Sequence, residues 1–291
     1  VNITVNAILI YGFGIGALGA GIGTLVSRIV AAVIILYLLQ RHDCLLRLER
    51  LFRPEFQGSM VRRILTIGIP TGLENGLFQI GKLIVLGLIT SFDVGVDLAV
   101  TGSAVAANAI ANSIAGVVNV PGQAMGLALV TVVGQCMGAR QPEQAVAYTK
   151  KLVGITYLCM GVVNAALFFL AGPLAALFNL APASRVLAVE VLQWCAVFTG
   201  IFWPLSFTLP NALRAAGDAR FTMAVSMASM FLFRVCLSYV LGADTLFGVP
   251  MLGLHLLGVW IAMFVDWINR VAFFVTRFLR GKWKQIDVIG A

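Results

Sequence analysis

The chain has 291 residues, 60% of them hydrophobic and only 11% charged, with a net charge of +8. Soluble domains carry roughly a quarter charged residues, so most of this chain has no water-facing side, and the composition excludes a soluble enzyme. The basic residues sit between apolar runs and not on one polar face, which argues against nucleic acid as a partner and makes the lipid bilayer the first one.

A spanning helix needs about 20 apolar residues to cross the hydrocarbon core. In chain order the predicted membrane segments are Ile3–Tyr11 (the tail of a helix), Ala17–Gln40, Ile64–Ser91, Ser103–Met137, Lys151–Leu170, Val186–Leu213, Phe221–Leu241 and Leu256–Phe278. The fold class is therefore all-α, a polytopic bundle of seven complete spans and one partial. Pro121 and several glycines predict a bend in the fourth segment, and Pro204 and Pro210 distortion of the sixth. The chain opens at Val1, already inside an apolar run, and the expectation is that an N-terminal part precedes it. The organisation that follows is 1–40 for two helices of a preceding unit, 41–63 for a linker, 64–278 for six further helices and 279–291 for a basic tail.

The connections alternate in charge. One set (41–63, 139–151, 214–220 and the tail from Arg277) carries Arg41, Arg47, Arg50, Arg53, Arg62, Arg63, Arg140, Lys150, Lys151, Arg214, Arg220, Arg277, Arg280, Lys282 and Lys284; the other carries Arg185 alone, with Asp93, Asp97 and Asp244. The positive-inside rule places the first set, and with it the C-terminus, in the cytoplasm of a multi-pass protein of the cell membrane. Within 41–63 the rhythm of Leu45, Leu46, Leu48, Leu51 and Phe52 predicts a short amphipathic helix on the membrane surface. A short repeat, Leu18-Gly19-x-x-Ile22 and Leu257-Gly258-x-x-Ile261, aligns Ser27 with Asp266 and suggests two related halves.

Charges inside spanning helices are costly, so they pair or mark a pathway. The chain has Arg28, Glu74, Lys82, Glu190, Arg234, Asp266 and Arg270 in such positions. Asp266 and Arg270 are four apart and share a face. At 1.5 Å per residue Asp266 lies roughly 15 Å and Arg234 roughly 10 Å below the outer surface, which predicts an Arg234–Asp266 contact. Such a set either fixes helix packing or carries coupling. Glu74 lies near mid-depth, behind Gly68, Pro70 and Gly72 and ahead of Asn75, Gln79 and Lys82; it either neutralises Lys82 or Arg270, or exchanges a proton or cation with a pathway. Asn108, Asn112 and Asn119 form one helical stripe that lines a wet cavity or bonds across helices. The pairs Gly122/Gly126 and Gly134/Gly138 are close-packing motifs. Gly12-x-Gly14-x-Gly16 lacks the strand and lysine of a nucleotide loop. Cys44, Cys136, Cys159, Cys195 and Cys236 have no metal-site spacing and read as small buried apolar residues, His42 and His255 stand alone, and no catalytic constellation or metal site is indicated.

Several of these runs resemble one family. Leu18-Gly19-Ala20-Gly21-Ile22-Gly23-Thr24-Leu25-Val26-Ser27-Arg28 resembles the sixth helix of multidrug and toxic-compound extrusion (MATE) transporters. Gly68-Ile69-Pro70 with Gly72-Leu73-Glu74 is similar to the opening of their seventh, and Val133-Gly134-Gln135 with Gly138-Ala139 to the exit of their eighth. Leu213-Arg214-Ala215-Ala216-Gly217-Asp218 resembles their loop between helices ten and eleven, and Gly258-Val259-Trp260 the start of their twelfth. The resemblance implies the end of helix five, helix six and the whole C-terminal lobe of a two-lobe antiporter whose N-terminal lobe lies mostly outside this sequence. It implies a small organic, often cationic, substrate exchanged for Na+ or H+, with no other cofactor. Glu74 lies about one turn before the carboxylate of familiar branches, and Trp203 stands near the place of their tenth-helix aspartate, so Asp266, Arg234 and Arg270 are expected to substitute for it. Three functions stay open: a cation-coupled efflux antiporter, a flippase or exporter of lipid-linked precursors, and a membrane protein, or a truncated gene product, that transports nothing.

Overall fold

The structure, a computed structural model, describes residues 1–39, 58–97, 103–178, 180–246 and 248–286. Two compact units emerge, Val1–Gly58 and Ser59–Ala291. Of the linker expected at 41–63, residues 41–57 lie outside the described residues, and residues 58–63 form the start of a helix.

The first unit is an antiparallel helix pair. Helix α1 (Asn2–Ala7) widens into a π-helical turn at Ile8–Gly12, and α2 spans Gly16–Leu39. Gly14 and Gly16, both at positive φ, make the turn between them. The glycine triplet thus reverses the chain between two helices.

The second unit begins with α3 (Gly58–Phe92), α4 (Ala104–Val118) and α5 (Val120–Gly138). Helix α6 covers Pro142–Ala176; α7 (Pro182–Trp203) passes through a π-helical turn at Pro204–Thr208 into α8 (Leu209–Ala215). Helix α9 (Ala219–Ser229) passes through a second such turn, Met230–Cys236, into α10 (Leu237–Gly242). A two-residue hairpin pairs Thr245 with Pro250 and Leu246 with Val249. Helix α11 (His255–Arg280) follows, then a 3-10 turn at Lys282–Gln285. Among the described residues seven helical stretches are long and apolar enough to cross a membrane, while α1 and α4 are shorter. The predicted fourth segment is two helices that meet at Asn119. Pro121 has no N–H to donate and its ring crowds the preceding turn, so the helical ladder breaks there. Helices α3 and α6 have 35 residues each, about 50 Å at 1.5 Å per residue, and overrun the hydrocarbon core.

The basic connections meet at one end of the second unit. Leu129, Val133, Met137, Ala145, Leu213, Phe274, Phe278 and Trp283 form one buried cluster there. Arg277 grips Asp218 through Nε at 2.7 Å and Nη2 at 3.3 Å, and Lys284 reaches Glu143 at 2.9 Å. Gly281, at φ +66°, closes α11 in the left-handed conformation that glycine favours. The nearly uncharged connections meet at the other end. There Asp93 accepts bonds from Ser103 Oγ and the Ala104 N–H, both at 2.7 Å, and so caps the N-terminus of α4. Ser103 in turn accepts from the Ala106 N–H. Cys136 and Cys195 are buried as expected, but Cys159 and Cys236 lie on the outer face. On an outer face bathed in lipid a small apolar thiol needs no burial.

The repeated Leu-Gly-x-x-Ile run has a packing cause in each unit. A Cβ on Gly19 would lie 3.0 Å from Leu9 Cβ; one on Gly258 would lie 2.6 Å from the Leu241 carbonyl oxygen and 2.9 Å from the Gly242 nitrogen. In both places a helix lies backbone to side chain, or backbone to backbone, against the one before it. Gly258→Ala should therefore destabilise the protein by about 1–3 kcal/mol, read as a lower melting temperature in detergent. Gly154→Ala, where a Cβ meets nothing within 4 Å, should not lower it.

Candidate functional site

The break at Asn119 and the π-helical turn at Pro204 open a cavity of about 920 Å³ inside the second unit. Helix α3 presents Thr71, Asn75, Phe78 and Lys82 to it, a single stripe at spacings of four, three and four. Asn112 and Asn119 come from α4 and its end, Gln123 from α5, Trp203 and Phe207 from α7 and its turn, and Asn211 and Arg214 from α8. Arg234 and, from α11, Trp260, Met263 and Trp267 complete the wall. Two glycines make room for it. A Cβ on Gly122 would collide with Trp203 at 2.1 Å, and one on Gly126 with Asn211 at 2.4 Å. The Gly122/Gly126 motif thus seats an aromatic ring and an amide of the cavity wall.

Four aromatic rings organise the wall. Trp203 stacks on Phe207 at 5.3 Å, and Phe207 meets Phe78 edge-on at 6.4 Å and Trp267 at 5.9 Å. Three cations converge on Phe78: Lys82 Nζ at 5.1 Å, Arg234 Cζ at 5.2 Å and Arg270 Cζ at 5.4 Å from the ring centroid. The negative face of an aromatic ring attracts such cations, at close to 1 kcal/mol or more where water is absent.

Arg214 lines the cavity and pairs with Glu74, which lies outside that lining. Glu74 is buried, and Arg214 Nη2 lies 2.5 Å from its Oε1, while Oε2 has no partner. Arg214 also donates from Nη1 to Asn211 Oδ1 at 2.8 Å. Of the two readings open for Glu74, the one that paired it with Lys82 or Arg270 named the wrong base: its partner comes from the far end of α8. The guanidinium of Arg214 reaches back along α8 into the bundle, so a residue counted with a basic loop acts inside it.

Asp266 and Arg270 form a second, fully enclosed pair. Arg270 Nε donates to Asp266 Oδ1 at 2.8 Å, and Ser229 Oγ donates to the same oxygen at 2.5 Å. Arg270 Nη2 binds the Ser226 carbonyl at 3.0 Å, and Asn269 donates to Ser229 Oγ at 3.1 Å. Asp266 is 0% exposed and Arg270 2%, and neither lines the cavity. The expected Arg234–Asp266 contact is not among the ion pairs of the described residues. Arg234 meets α11 one turn earlier, with Nη2 at 2.8 Å from Met263 Sδ, because Asp266 is already held by Arg270 and Ser229.

The amide stripe divides. Asn75, Asn112 and Asn119 line the main cavity, and Asn119 Oδ1 is buried without a partner. Asn108 lines an adjoining recess of about 290 Å³, shared with Lys82 and Arg234, and there accepts from Trp260 Nε1 at 3.2 Å and from Asn112 Nδ2 at 2.9 Å. It therefore both lines and bonds across helices. Gln79 lies outside both linings and is exposed. It sits past the edge of the stripe defined by Asn75, Phe78 and Lys82. Sequence reasoning missed Arg214, Asn211 and the aromatic residues Phe78, Trp203, Phe207, Trp260 and Trp267. The i, i+4 spacing of Trp203 and Phe207 and the α3 stripe carried that signal.

A bundle of membrane-length helices broken around a cavity that carries amides and cations on an apolar, aromatic wall has the build of a transporter domain. A profile of the MatE family matches residues 70–240, more than half of the chain, and the chain belongs to that family, the MATE family named above. It is 26% identical over 292 residues to a probable multidrug resistance protein NorM of Thermotoga maritima, covering 99% of this chain and 59% of the relative. It is 25% identical over 280 residues to an uncharacterized transporter, YisQ, of Bacillus subtilis, covering 93% and 57%. The chain thus spans somewhat under three-fifths of the length of these relatives. Among solved structures it superposes on a MATE crystal structure in the straight conformation (TM-score 0.81, 22% identity, 98% of this chain and 61% of that one). It also superposes on an outward-facing multidrug resistance MATE transporter (TM-score 0.82, 21% identity, 98% and 61%). At these identities the structures establish the fold.

The buried pair carries a stability prediction. Asp266→Leu leaves Arg270 enclosed without its carboxylate and should cost about 3–5 kcal/mol. Adding Arg270→Met should recover most of the loss, measured by unfolding in mixed detergent micelles. A double variant no more stable than Asp266→Leu alone would show that the pairing is not what Asp266 contributes.

Proposed function

We propose that the protein is an efflux antiporter that moves small organic solutes across the cell membrane in exchange for Na+ or H+, by alternating access of two lobes, and that it is not an enzyme. On this reading residues 64–278 are the six-helix C-terminal lobe, 1–40 the last part of the N-terminal lobe, 41–63 the inter-lobe linker and 279–291 a cytoplasmic tail. The rest of the N-terminal lobe belongs to the same protein. Membership of the MatE family and the likeness to NorM support the transport class. The convergence of the basic connections at one end supports a cytoplasmic C-terminus.

One observation carries the coupling role: Glu74, buried behind the cavity wall, has one oxygen on the cavity-lining Arg214 and the other without a partner. A proton or a Na+ ion arriving at Glu74 competes with Arg214 for the carboxylate. Displaced, Arg214 swings on Asn211 toward the cavity, where it changes the charge a solute meets. A ligand shifts such an equilibrium only through its different affinity for the two states, and here the two states differ in whether Glu74 is held by Arg214 or by the coupling ion. Arg234 and Arg270 meet the helix that carries Glu74 through the Phe78 ring, and Asp266 holds Arg270 in place.

Glu74→Gln removes the charge that the coupling ion competes for. Efflux of whichever of the two dyes ethidium and carboxyfluorescein the unaltered protein moves from vesicles should fall about tenfold or more under both Na+ and H+ gradients, the scale of losing a charge-assisted contact. Arg214→Gln should slow efflux while shifting its dependence on the driving ion. Unchanged efflux by Glu74→Gln under both gradients refutes the assignment.

A further inference from the structure

The charged side chains that line the main cavity are Lys82, Arg214 and Arg234; its lining contains no aspartate or glutamate. Arg214 is held by Glu74 at 2.5 Å. Arg270, behind the wall, is held by Asp266 at 2.8 Å. Lys82 and Arg234 have no carboxylate within ion-pair distance among the described residues: Lys82 rests on the Phe78 ring, and Arg234 on the same ring and on Met263 Sδ. Arg234 is nine-tenths buried. Two cations inside a membrane bundle thus share one ring with no carboxylate in contact, since Asp266, which attracts Arg234 from a distance, is already held by Arg270, in the setting where an unmatched charge is most costly. Both also reach into the adjoining recess, so an acidic group placed there meets both.

The rest of the wall is flat and apolar. Trp203, Phe207 and Trp267 form an aromatic surface beside the two cations, and about 920 Å³ holds a ligand of drug size. We propose that the cavity binds an organic anion, a carboxylate, sulfonate or phosphate carried on a flat apolar body. The acidic group lies between Lys82 and Arg234, and the body stacks along Trp203 and Phe207. The inference deepens the transport reading and rests on it for the direction of movement: the exported solute is an anion and not a cation.

The test uses the protein in phosphatidylcholine nanodiscs and two xanthene dyes of similar shape and opposite charge, carboxyfluorescein and rhodamine 123, with binding read by fluorescence anisotropy. Carboxyfluorescein should bind more tightly than rhodamine 123. Lys82→Gln should weaken it about tenfold or more, as loss of a hydrogen bond to a charged group does, while rhodamine 123 binding holds or strengthens. Arg234→Lys, which keeps charge in a buried position, should weaken it less than Arg234→Gln. Adding phosphatidic acid to the nanodiscs separates the two sources of such an anion: displacement of the dye identifies a lipid-borne phosphate, and retention identifies a soluble one. Rhodamine 123 binding more tightly than carboxyfluorescein, or Lys82→Gln and Arg234→Lys both leaving carboxyfluorescein affinity unchanged, overturns the proposal. Charge-dependent binding without flux under either ion gradient would instead overturn the transport reading and leave the anion site standing.

Discussion

Lipid offers no counter-charge, and the second unit is arranged around that fact. Asp266 and Arg270 answer one another four residues apart on α11, but the pair also draws in its neighbours. Ser229 and the Ser226 carbonyl bring α9 to it, Phe78 brings α3, and Phe207 brings the π-helical turn after α7. Four elements therefore meet around one enclosed ion pair. The carboxylate is neutralised on the spot, and what the other elements gain from meeting it is position. The pair meets both Phe78 and Phe207, and Phe78 is the floor on which the cavity cations Lys82 and Arg234 rest.

The cavity is the consequence of two failures of helical regularity at adjacent levels. Asn119 and Pro121 break the fourth span, and Pro204 widens the sixth into a π-helical turn. Each break frees backbone groups that the hydrocarbon core cannot satisfy. They are tolerated because they face one another across a polar space, where Thr208 Oγ1 bonds to the Gly122 carbonyl at 3.3 Å. The glycines on α5 then bring α7 and α8 close enough for Trp203 and Asn211 to sit where side chains would otherwise stand. Breaks and glycines act together: the first make the void, the second decide which side chains line it.

Much of this was legible in the sequence. Seven apolar runs with strictly alternating loop charge give a membrane bundle, because both signals follow from the solvent and not from packing. The Asp266–Arg270 pair follows from i, i+4 spacing on one helix. The bend in the fourth segment follows from Pro121. The partner of Glu74 was not legible, since Arg214 is 140 residues away and its sequence setting is that of a basic loop. Only the depth to which α8 carries that loop residue decides the pairing. The Arg234–Asp266 contact failed for a related reason: counting residues from a helix end gives depth along the membrane but not rotation about the helix axis, and Arg234 turns to Met263.

That difference in pairing has a chemical consequence larger than its geometry. Counting residues in the sequence sets Glu74 and Asp266 against Lys82, Arg234 and Arg270, and the site looks nearly balanced. In the folded chain Glu74 is taken by an arginine from outside that count, so the acid that was to offset Lys82 is gone. The polarity of the cavity is then fixed by which cations remain unmatched, not by how many acids and bases the helices carry. Arg214 is the residue on which this turns: while it holds Glu74, the wall facing a solute carries Lys82 and Arg234 unopposed. Whatever frees Glu74 from Arg214 leaves an additional cation at the cavity edge. The proposed coupling site and the polarity of the cavity thus depend on one ion pair.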